Sequence, residues 1–578
     1  MLAGSTTVVV DRPRAGSNTS GTSDDSNHST STSPTSDATG AISNSNKQLA
    51  RIERRSGQQR RYAPKTRTGC ITCKIRRVKC DEGKPYCKRC TTTGRKCDGY
   101  TNLVEQKQQP KGTESLSMAL VPGVSADAFE RRTFDFFRAK TAPTVSGYFQ
   151  DSVWDRIVLQ LSHSEPAVRH AVNALGSLHE HLSDIGKGNV NDSLVKSSYP
   201  TQQYGKTLSA MQSLMQGGNA SMDVVLVCAL ICIHFEALRE AFVPCLMHVE
   251  NAIQLLNSKN GTLDARKVNP SLVRAIMRMD LQGTMYLGSR IPGLSFFSAA
   301  DNILPSSFHD LTQARDLVNT WSSRLYHFMR TVADHHRFQS VGDIALEHIA
   351  KAQELEATFL DFDRLLWEYM HKPSAKFSTR EQLGLGMLRS RVKMNRMLSS
   401  TCLYAEACRF DLFLSDFEDI LTICSYIMSS DNADKRFFAV SLDEGLVQPL
   451  FFIATHCRDG RLRHQALAHL GKLPSKEGIR HVTTSLRTAE VCVAFEEADC
   501  GKQIATCEDI PEWKRIHSAS FGGSNLHLPE NKVLMHLNLR PNGIDGEWAV
   551  FVEELDWTAT GDTFTESFIL LGPQLQQF

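Results

Sequence analysis

Six cysteines at a regular spacing constrain this chain more than any other feature. They are Cys70, Cys73, Cys80, Cys87, Cys90 and Cys97, in the pattern C-x2-C-x6-C-x6-C-x2-C-x6-C, which is one half-pattern written twice. A C-x2-C pair brings two thiolates to one metal ion, and zinc binds four ligands in a tetrahedron. Because two separate four-cysteine sites would need eight cysteines, six can hold two Zn2+ ions if two thiolates bridge both metals. The repeat indicates that the first cysteine of each half, Cys70 or Cys87, is a ligand that bridges the two metal ions.

The same stretch carries a strong positive charge. Between Lys65 and Cys97 there are 11 Lys and Arg residues and two acids, a balance of +9. Two zinc ions bound by six thiolates reduce this to about +7, which is the electrostatic footprint expected for a polyanion partner. A segment of about 30 residues cannot bury enough apolar surface to fold alone, so the metal has to supply its stability.

The stretch resembles the fungal Zn2Cys6 binuclear cluster family in its cysteine spacing and in two further features. A basic run made of Lys74, Arg76, Arg77 and Lys79 lies between the second and third cysteines, and Pro85 stands two residues before the fourth. The resemblance implies that a short helix docks into the major groove of double-stranded DNA. It also implies that Arg76 and Arg77 reach base edges, usually those of a CGG triplet.

The function implied by this resemblance is that of a nuclear, sequence-specific transcription factor of the RNA polymerase II type. Its partners would be double-stranded DNA and the transcription machinery or co-regulators. The resemblance also implies a role in regulating a metabolic gene cluster, as is common in the family. The chain is not expected to be an enzyme, because it contains none of the GxSxG, GxxxxGK[ST], HExxH or GxGxxG motifs. A membrane partner is not expected either, since its longest apolar stretch, Val224–Phe235, is too short to cross a bilayer.

Three alternatives compete with the interpretation as a base-reading zinc cluster. A disulfide framework would need an oxidising compartment, whereas residues 1–50 are polar and lack the apolar run of a signal peptide. Arg76 and Arg77 could bind phosphates instead of bases, although the bidentate guanidinium suits guanine well. The cluster could also be a metal- or redox-responsive sensor that reads no DNA, but such a sensor does not need so much positive charge.

Both flanks of the cysteine stretch are predicted to lack a packed structure. Residues 1–64 form a Ser/Thr-rich disordered tail that ends in a basic arm, 51–67, which is a candidate nuclear import signal or phosphate-contacting arm. The predicted zinc domain, 65–100, is followed by a linker, 101–120, which shows no heptad pattern of a coiled coil and contains helix-breaking Pro and Gly. The oligomeric state is therefore left open.

The body of the chain, residues 121–510, is predicted to be a large all-α domain. With 41% hydrophobic residues the chain can build a sizeable core. The sequence Ser164-Glu165-Pro166 is typical of a helix start. Further predicted helices are Met222–Arg239, His248–Asn257, Leu317–Asp334, Ile344–Tyr369, Thr379–Leu414, Phe417–Met428, Leu446–Cys457, His464–Leu470 and Thr483–Glu497. Residues 131–180 resemble the start of the helical regulatory region found in many fungal regulators, through the runs FFR…TAP…G and SHSEPAVRHAV…ALGSLHE.

The last segment, 511–578, is predicted to differ from the helical body. Apolar residues alternate with mostly polar ones in 533–539 and again in 548–552, a period typical of a short β-hairpin. Residues 541–578 contain seven acids and no Lys or Arg, with aromatic residues between them. Because this composition is also that of disordered activation segments, residues 556–578 are a candidate activation tail.

Two histidine groups in the helical body contain potential metal ligands, but neither group is expected to bind a metal ion. They are His179-Glu180-His181 and Asp334-His335-His336. Residues one or two apart on a helix point in different directions, so each group is expected to be packed or solvated. The ten cysteines outside the repeat are expected to be buried thiols.

Overall fold

The computed structural model describes most of the chain and divides it into two compact units, Gly16–Ser125 and Met1–Ala15 with Ala126–Phe578. The residues described are 8–9, 69–76, 78–99, 128–149, 151–185, 193–217, 221–257, 268–288, 290–294, 303–338, 343–372, 376–429, 445–473, 476–477, 480–498, 500–521 and 532–556. The basic arm, the linker and the candidate activation tail therefore lie outside the described residues, apart from Asp556. The predicted domain boundaries stay predictions.

The smaller unit contains the cysteine repeat and two short helices. Helix α1 is Ile71–Ile75 and helix α2 is Lys88–Thr91, and each begins directly after a cysteine, Cys70 or Cys87. All six cysteines of the repeat are buried, and Val78 is the partly buried apolar residue packed against them. A core made almost entirely of thiols agrees with a module whose stability depends on metal.

The larger unit is mainly helical, as predicted. Its α-helices are α3 Ala128–Phe136, α4 Ala142–Val145, α5 Val158–Ser164, α6 Pro166–Ile185, α7 Ser193–Gln216, α8 Met222–Leu238, α9 Phe242–Asn257, α10 Pro270–Leu287, α11 Leu311–Phe328, α12 Asp334–Phe338, α13 Leu346–Met370, α14 Thr379–Thr401, α15 Leu414–Ser429, α16 Val447–His456, α17 Gly460–Leu470 and α18 Val482–Glu497. Three π-helical turns lie at Phe137–Thr141, Val153–Ile157 and Met329–Ala333. Three 3-10 turns lie at Ala407–Phe413, Cys507–Asp509 and Glu512–Lys514.

The helices with the clearest sequence patterns lie where they were predicted. Helix α6 begins at Pro166, where the missing N–H costs nothing because a first-turn N–H has no partner within the helix. Every residue of α8 except Asp223 is buried, which explains why its sequence is apolar all round.

Several helix boundaries differ from the prediction for identifiable reasons. Helix α11 begins at Leu311 because the Asp310 carboxylate accepts the backbone N–H of Gln313 at 2.7 Å. The predicted helix Thr379–Leu414 ends at Thr401, whose hydroxyl donates back to the carbonyl of Met397 at 2.8 Å. Helices α7 and α10 were missed; α7 has only a weak apolar stripe and carries Pro200 in its interior.

The predicted C-terminal hairpin is confirmed and belongs to a larger sheet. Strands β5, Lys532–Leu539, and β6, Ala549–Asp556, pair antiparallel, with Leu537 opposite Phe551. Strand β4, Ser518–Phe521, pairs antiparallel with β5, and the two-residue strand β1, Val8–Val9, pairs parallel with β6, giving the order β1-β6-β5-β4. The strand at Val8–Val9 is the part of the predicted disordered tail that the structure describes. A separate pair is β2, Lys476–Glu477, with β3, Arg480–His481.

Two hydrophobic cores organise the larger unit. The first core takes its residues from between Phe137 and Leu294, and the second core mainly from beyond Leu281. Helix α10 contributes to both, because Ala275 and Ile276 lie in the first core while Leu281 and Met285 lie in the second. The sheet packs on the second core, where the Trp548 Nε1 donates to the carbonyl of Phe338 at 3.1 Å.

Candidate metal centre and nucleic-acid interface

Four cysteine thiols meet at the centre of the smaller unit. The Sγ of Cys70 lies 3.5 Å from that of Cys87 and 3.8 Å from that of Cys90. The Sγ of Cys73 lies 3.7 Å from that of Cys87 and 3.6 Å from that of Cys90. Sulfurs at the corners of a zinc tetrahedron with Zn–S near 2.3 Å are about 3.8 Å apart. The spacing of these thiols therefore fits zinc.

The other two cysteines of the repeat lie beside this group of four. The Sγ of Cys80 accepts the backbone N–H of Cys70 at 3.4 Å, and the Sγ of Cys97 accepts that of Cys87 at 3.5 Å. Cys80 also belongs with Cys87 to a set of potential metal ligands whose atoms lie within 4.8 Å of one another. Four thiols alone would suffice for one tetrahedral ion, so Cys80 and Cys97 supply the additional donors that a second ion needs.

The sequence repeat is also a repeat of structure, with a period of 17 residues. The N–H of Lys74 donates to the carbonyl of Cys70, and the N–H of Thr91 donates to that of Cys87. The N–H of Val78 donates to the carbonyl of Cys73 at 3.1 Å, and Arg95 makes the matching bond to Cys90 at 3.1 Å. Each half therefore folds in the same way around its C-x2-C pair.

Two aspartates stabilise the helices of the module, and sequence reasoning missed both. The Asp81 carboxylate accepts the backbone N–H groups of Lys88 and Arg89 at 2.9 and 2.8 Å, at the start of α2. The pKa of Asp81 is lowered, first of all by the Arg89 N–H. At the corresponding position of the other half, Asp98 accepts the hydroxyl of Thr72 in α1 at 2.8 Å. The signal in the sequence was an aspartate directly following the last cysteine of each half.

Three thiols of the centre are hard to ionise. Burial raises the pKa of Cys70 to about 12, and it also raises the pKa values of Cys73 and Cys87. Zinc binds the thiolate, so metal binding has to release protons from this centre.

Two residues of the basic run lie at the surface of the module. Lys74 and Lys79 are exposed, whereas Arg76 is half-buried and its Nη1 has no hydrogen-bond partner within the described residues. Arg77 lies outside the described residues. Other exposed basic residues of the module are Lys84, Lys88, Arg89, Arg95 and Lys96.

Comparison with known proteins finds a known domain in part of each unit. The fungal Zn(2)-Cys(6) binuclear cluster domain matches residues 68–107, and the fungal specific transcription factor domain matches residues 132–383. The chain therefore contains the two kinds of domain found in fungal Zn2Cys6 transcription regulators. Both resemblances predicted from the sequence are thereby confirmed, and the cofactor of the cluster domain is two zinc ions.

Individual relatives of the family match parts of the chain. The aspercryptin biosynthesis cluster-specific transcription regulator atnN of Emericella nidulans is 28% identical over 354 residues, which are 53% of this chain and 55% of that protein. The transcription regulator lscL of Purpureocillium lilacinum is 29% identical over 214 residues, 34% of this chain and 50% of that protein. The Zn(2)-C6 fungal-type transcription factor afumD of Aspergillus fumigatus is 34% identical over 122 residues, 20% of this chain and 32% of that protein. The chain thus spans about half the length of the first two relatives. No solved structure matches it.

The two histidine groups of the helical body take part in packing contacts. His179 is buried and hydrogen-bonds the hydroxyl of Thr141 at 3.0 Å, and burial lowers its pKa to about 4. The Nε2 of His336 lies 3.0 Å from the Nδ1 of His348. In the part of the chain that the structure describes, clusters suited to a metal ion occur only among residues of the cysteine module.

None of the ten other cysteines forms a disulfide, and seven of them are buried as expected. Cys408 is exposed, and Cys500 and Cys507 are partly exposed. None of the helices described is long and apolar enough to span a membrane.

Proposed function

We propose that this chain is a sequence-specific, DNA-binding transcription regulator whose zinc cluster positions a basic helix in the major groove. The observation that carries the proposal is the combination of a zinc-sized thiol centre with a basic, solvent-exposed surface around it. The two family models that match parts of the chain support the same function. A metal- or redox-responsive sensor that does not bind DNA is not favoured, because such a sensor does not need a basic surface.

The metal ligands in this proposal are the six cysteines of the repeat. Cys70 and Cys87 are the bridging ligands, which agrees with the short distance between their sulfurs. Cys73, Cys80, Cys90 and Cys97 supply the remaining ligands of the two ions. Zinc supplies no reaction here; it holds the two halves of the module together and fixes the direction of α1.

The DNA contacts in this proposal come from the basic run. Arg77 reads a guanine edge, because the bidentate guanidinium matches guanine O6 and N7. Lys74 and Lys79, which are exposed, bind DNA phosphates on either side of this base contact. The half-buried Arg76 reaches the DNA only if its side chain moves away from the module, so it contributes less than Arg77.

Direct binding to a duplex with one CGG triplet tests the proposal. At near-physiological salt the zinc-loaded chain is expected to prefer this duplex to a scrambled one, measured by fluorescence anisotropy. Arg77→Ala should lose about 1–3 kcal/mol of this preference, whereas Lys84→Ala, an exposed charge outside the run, should leave it unchanged. With about 4–6 phosphate contacts, the affinity should fall with salt at a slope of about −0.9 per contact. Equal affinity for both duplexes would contradict base reading.

The proposed location is the nucleus, with the basic arm as the import signal. A fluorescent reporter fused to residues 45–80 is expected to enter nuclei, and a cytoplasmic signal would count against the arm. The proposed target is a metabolic gene cluster, because one relative carries the name of a biosynthesis cluster-specific regulator. Deletion of the gene should therefore change transcription of a set of neighbouring genes. The helical unit acts through protein partners and not as an enzyme.

A further inference from the structure

Helix α13 has apolar residues on two opposite faces. Its inner face packs into the second core through Ala352, Leu355, Phe359, Phe362, Leu365 and Leu366. On the opposite side, Leu346, Leu360 and Trp367 are 84%, 53% and 51% exposed. The helix has 25 residues and is about 37 Å long, so this exposed side is long enough to contact a partner helix.

The exposed side of α13 follows a seven-residue repeat. Its residues recur at alternating steps of four and three, which is the spacing of the a and d positions in a coiled coil. The d positions are Leu346, Gln353, Leu360 and Trp367, and the a positions are Ala350, Ala357 and Arg364. These seven residues, all exposed, are called the outer face. Single exposed apolar residues are ordinary on a protein surface, whereas a regular repeat of them indicates a surface for another helix.

The outer face also has the relief that helix packing needs. Ala350 and Ala357 are small, and they leave room between the larger residues for side chains of a partner helix. The Trp367 ring is already held in position, because its centre lies 3.8 Å from that of the His371 ring and 5.1 Å from the Arg389 guanidinium. Tryptophan is among the residues that contribute most to binding at protein interfaces.

A row of acids borders the outer face. Glu347, Glu354, Asp361 and Glu368 are seven residues apart, and each directly follows a d position. All four are exposed. They therefore occupy the e positions, whose charges select the partner in helix pairing.

Basic residues of α13 offset only part of this negative charge. Lys351 lies 2.8 Å from Glu354, and Arg364 lies 3.1 Å from Asp361 and 3.0 Å from Glu368. The four acids of the row thus keep an excess of two negative charges over the two basic residues of the helix. Because these ion pairs are exposed, each contributes little to stability and is readily exchanged for a pair with a partner.

The charge pattern disfavours a second copy of the chain on the outer face. On its other flank the g positions include Glu356 and Asp363. In a parallel pair of α13 helices the e positions of one helix lie near the g positions of the other, and in an antiparallel pair they lie near the other e positions. Acids would meet acids in both arrangements, which is unfavourable. A helix with Lys or Arg at these positions meets the opposite charge instead.

We propose that the outer face of α13 binds a basic amphipathic helix of a partner protein. Apolar side chains of that helix pack between Leu346, Leu360 and Trp367, and its Lys or Arg residues pair with the acidic row. The inference rests on the proposed action of the helical unit through protein partners, and it does not depend on DNA binding by the cysteine module.

Binding of synthetic helical peptides to the zinc-loaded full chain tests the outer face. The first peptide is built of heptads with Leu at a and d and Lys at e and g, and the second has Glu in place of each Lys. In fluorescence anisotropy at near-physiological salt, the wild type should bind the Lys peptide about tenfold more tightly than the Glu peptide. Leu360→Ser should weaken binding of the Lys peptide by about tenfold or more, because this leucine becomes buried in the complex. Val243→Ser on α9, which changes an apolar residue of similar exposure, should leave it unchanged.

Reversal of charge gives a second test of the same surface. The double variant Glu354→Lys with Asp361→Lys should prefer the Glu peptide to the Lys peptide. Both positions are exposed, so the fold should be retained, and circular dichroism checks this. An unchanged preference for the Lys peptide would overturn the proposal.

Four further outcomes would overturn it. One is the absence of Lys-peptide binding at millimolar concentration, and another is equal binding by the wild type and Leu360→Ser. A wild-type dimer that Leu360→Ser dissociates in sedimentation equilibrium would show that a second copy covers the outer face. Loss of peptide binding on zinc chelation would place the binding on the cysteine module. Since chelation is expected to abolish DNA binding but not peptide binding, failure of this proposal is distinguishable from failure of the proposed function.

Discussion

At the scale of single residues, the positions that tolerate substitution least are those where the backbone is closely packed or a charge is buried. Gly69 precedes the first cysteine, and a Cβ built on it would lie 2.9 Å from the Cβ of Cys80. Far from the module, Glu496 is buried between two arginines. Neither requirement is visible in the sequence, because each depends on a contact between residues distant along the chain.

Gly69→Ala should weaken the zinc centre. The new methyl group cannot avoid the Cβ of Cys80, so this proposed ligand has to move. We expect zinc to be released to a chromogenic chelator faster from the variant than from the wild type. Lys84→Ala, in the exposed loop between the halves, serves as the control. Equal release rates for Gly69→Ala and the wild type would contradict the close approach.

Glu496→Gln should strongly destabilise the larger unit. The Glu496 carboxylate accepts from Arg458 and Arg463 at 2.7 Å each, and all three side chains are buried. Removal of its charge takes away the carboxylate that both buried guanidiniums share and leaves Arg463 the longer contact with Glu497 at 3.5 Å, so the loss should cost about 3–5 kcal/mol. Glu490→Gln on the same helix changes an exposed pair with Arg487 and should cost at most about 1 kcal/mol. Urea unfolding of both variants measures the difference, and equal stabilities would refute the role of the buried pair.

The same residue predicts a pH dependence. Burial raises the pKa of Glu496, but Arg458 and Arg463 lower it more, so it lies below its ordinary value of 4.5. The folded state therefore binds fewer protons than the unfolded state, and this contribution is present above pH 4.5 and lost as the pH falls further. Between pH 6 and pH 3 the wild type should lose more stability than Glu496→Gln.

At the scale of secondary-structure elements, local sequence patterns predicted which helices and strands form better than they predicted the residues at which these elements begin and end. The period of two in 533–539 predicted the hairpin, and the φ of +89° at Gly543 explains why its connection contains Asn542-Gly543. The short strands β1 and β4 were missed, because two or four residues carry too little pattern.

Leu537→Ala should destabilise the larger unit, since the inner face of β5 packs on the second core. Leu537 is fully buried in that core, and its loss should cost about 2–5 kcal/mol. His536 is the neighbouring residue on the less buried face, so His536→Ala should cost less. Chemical denaturation of the two variants compares the faces; a larger effect at His536 would contradict the register of the sheet.

At the scale of the whole molecule, the chain combines a metal-dependent module with a helical unit that has its own cores. The cysteine spacing was enough to predict the first, because six thiols at fixed intervals allow few arrangements. For the helical unit the sequence predicted the class of fold but not the division of its helices between two hydrophobic cores.

Removal of zinc should therefore affect the two units unequally. A strong chelator is expected to abolish DNA binding while most of the helical circular dichroism signal and its cooperative thermal transition remain. The reason is that the helical unit, where it is described, contains no comparable cluster of metal ligands. Loss of the helical transition on chelation would show that the larger unit also depends on metal.

The most direct test of the central claim is selection of binding sites from a random DNA pool by the zinc-loaded full chain at near-physiological salt. We predict enrichment of sites that contain a CGG triplet, and loss of this enrichment on chelation and in Arg77→Ala. The arrangement of triplets in the selected sites would also give the number of modules bound. Salt-sensitive retention of DNA without any enriched sequence would contradict base reading and leave the cluster as a phosphate-binding module.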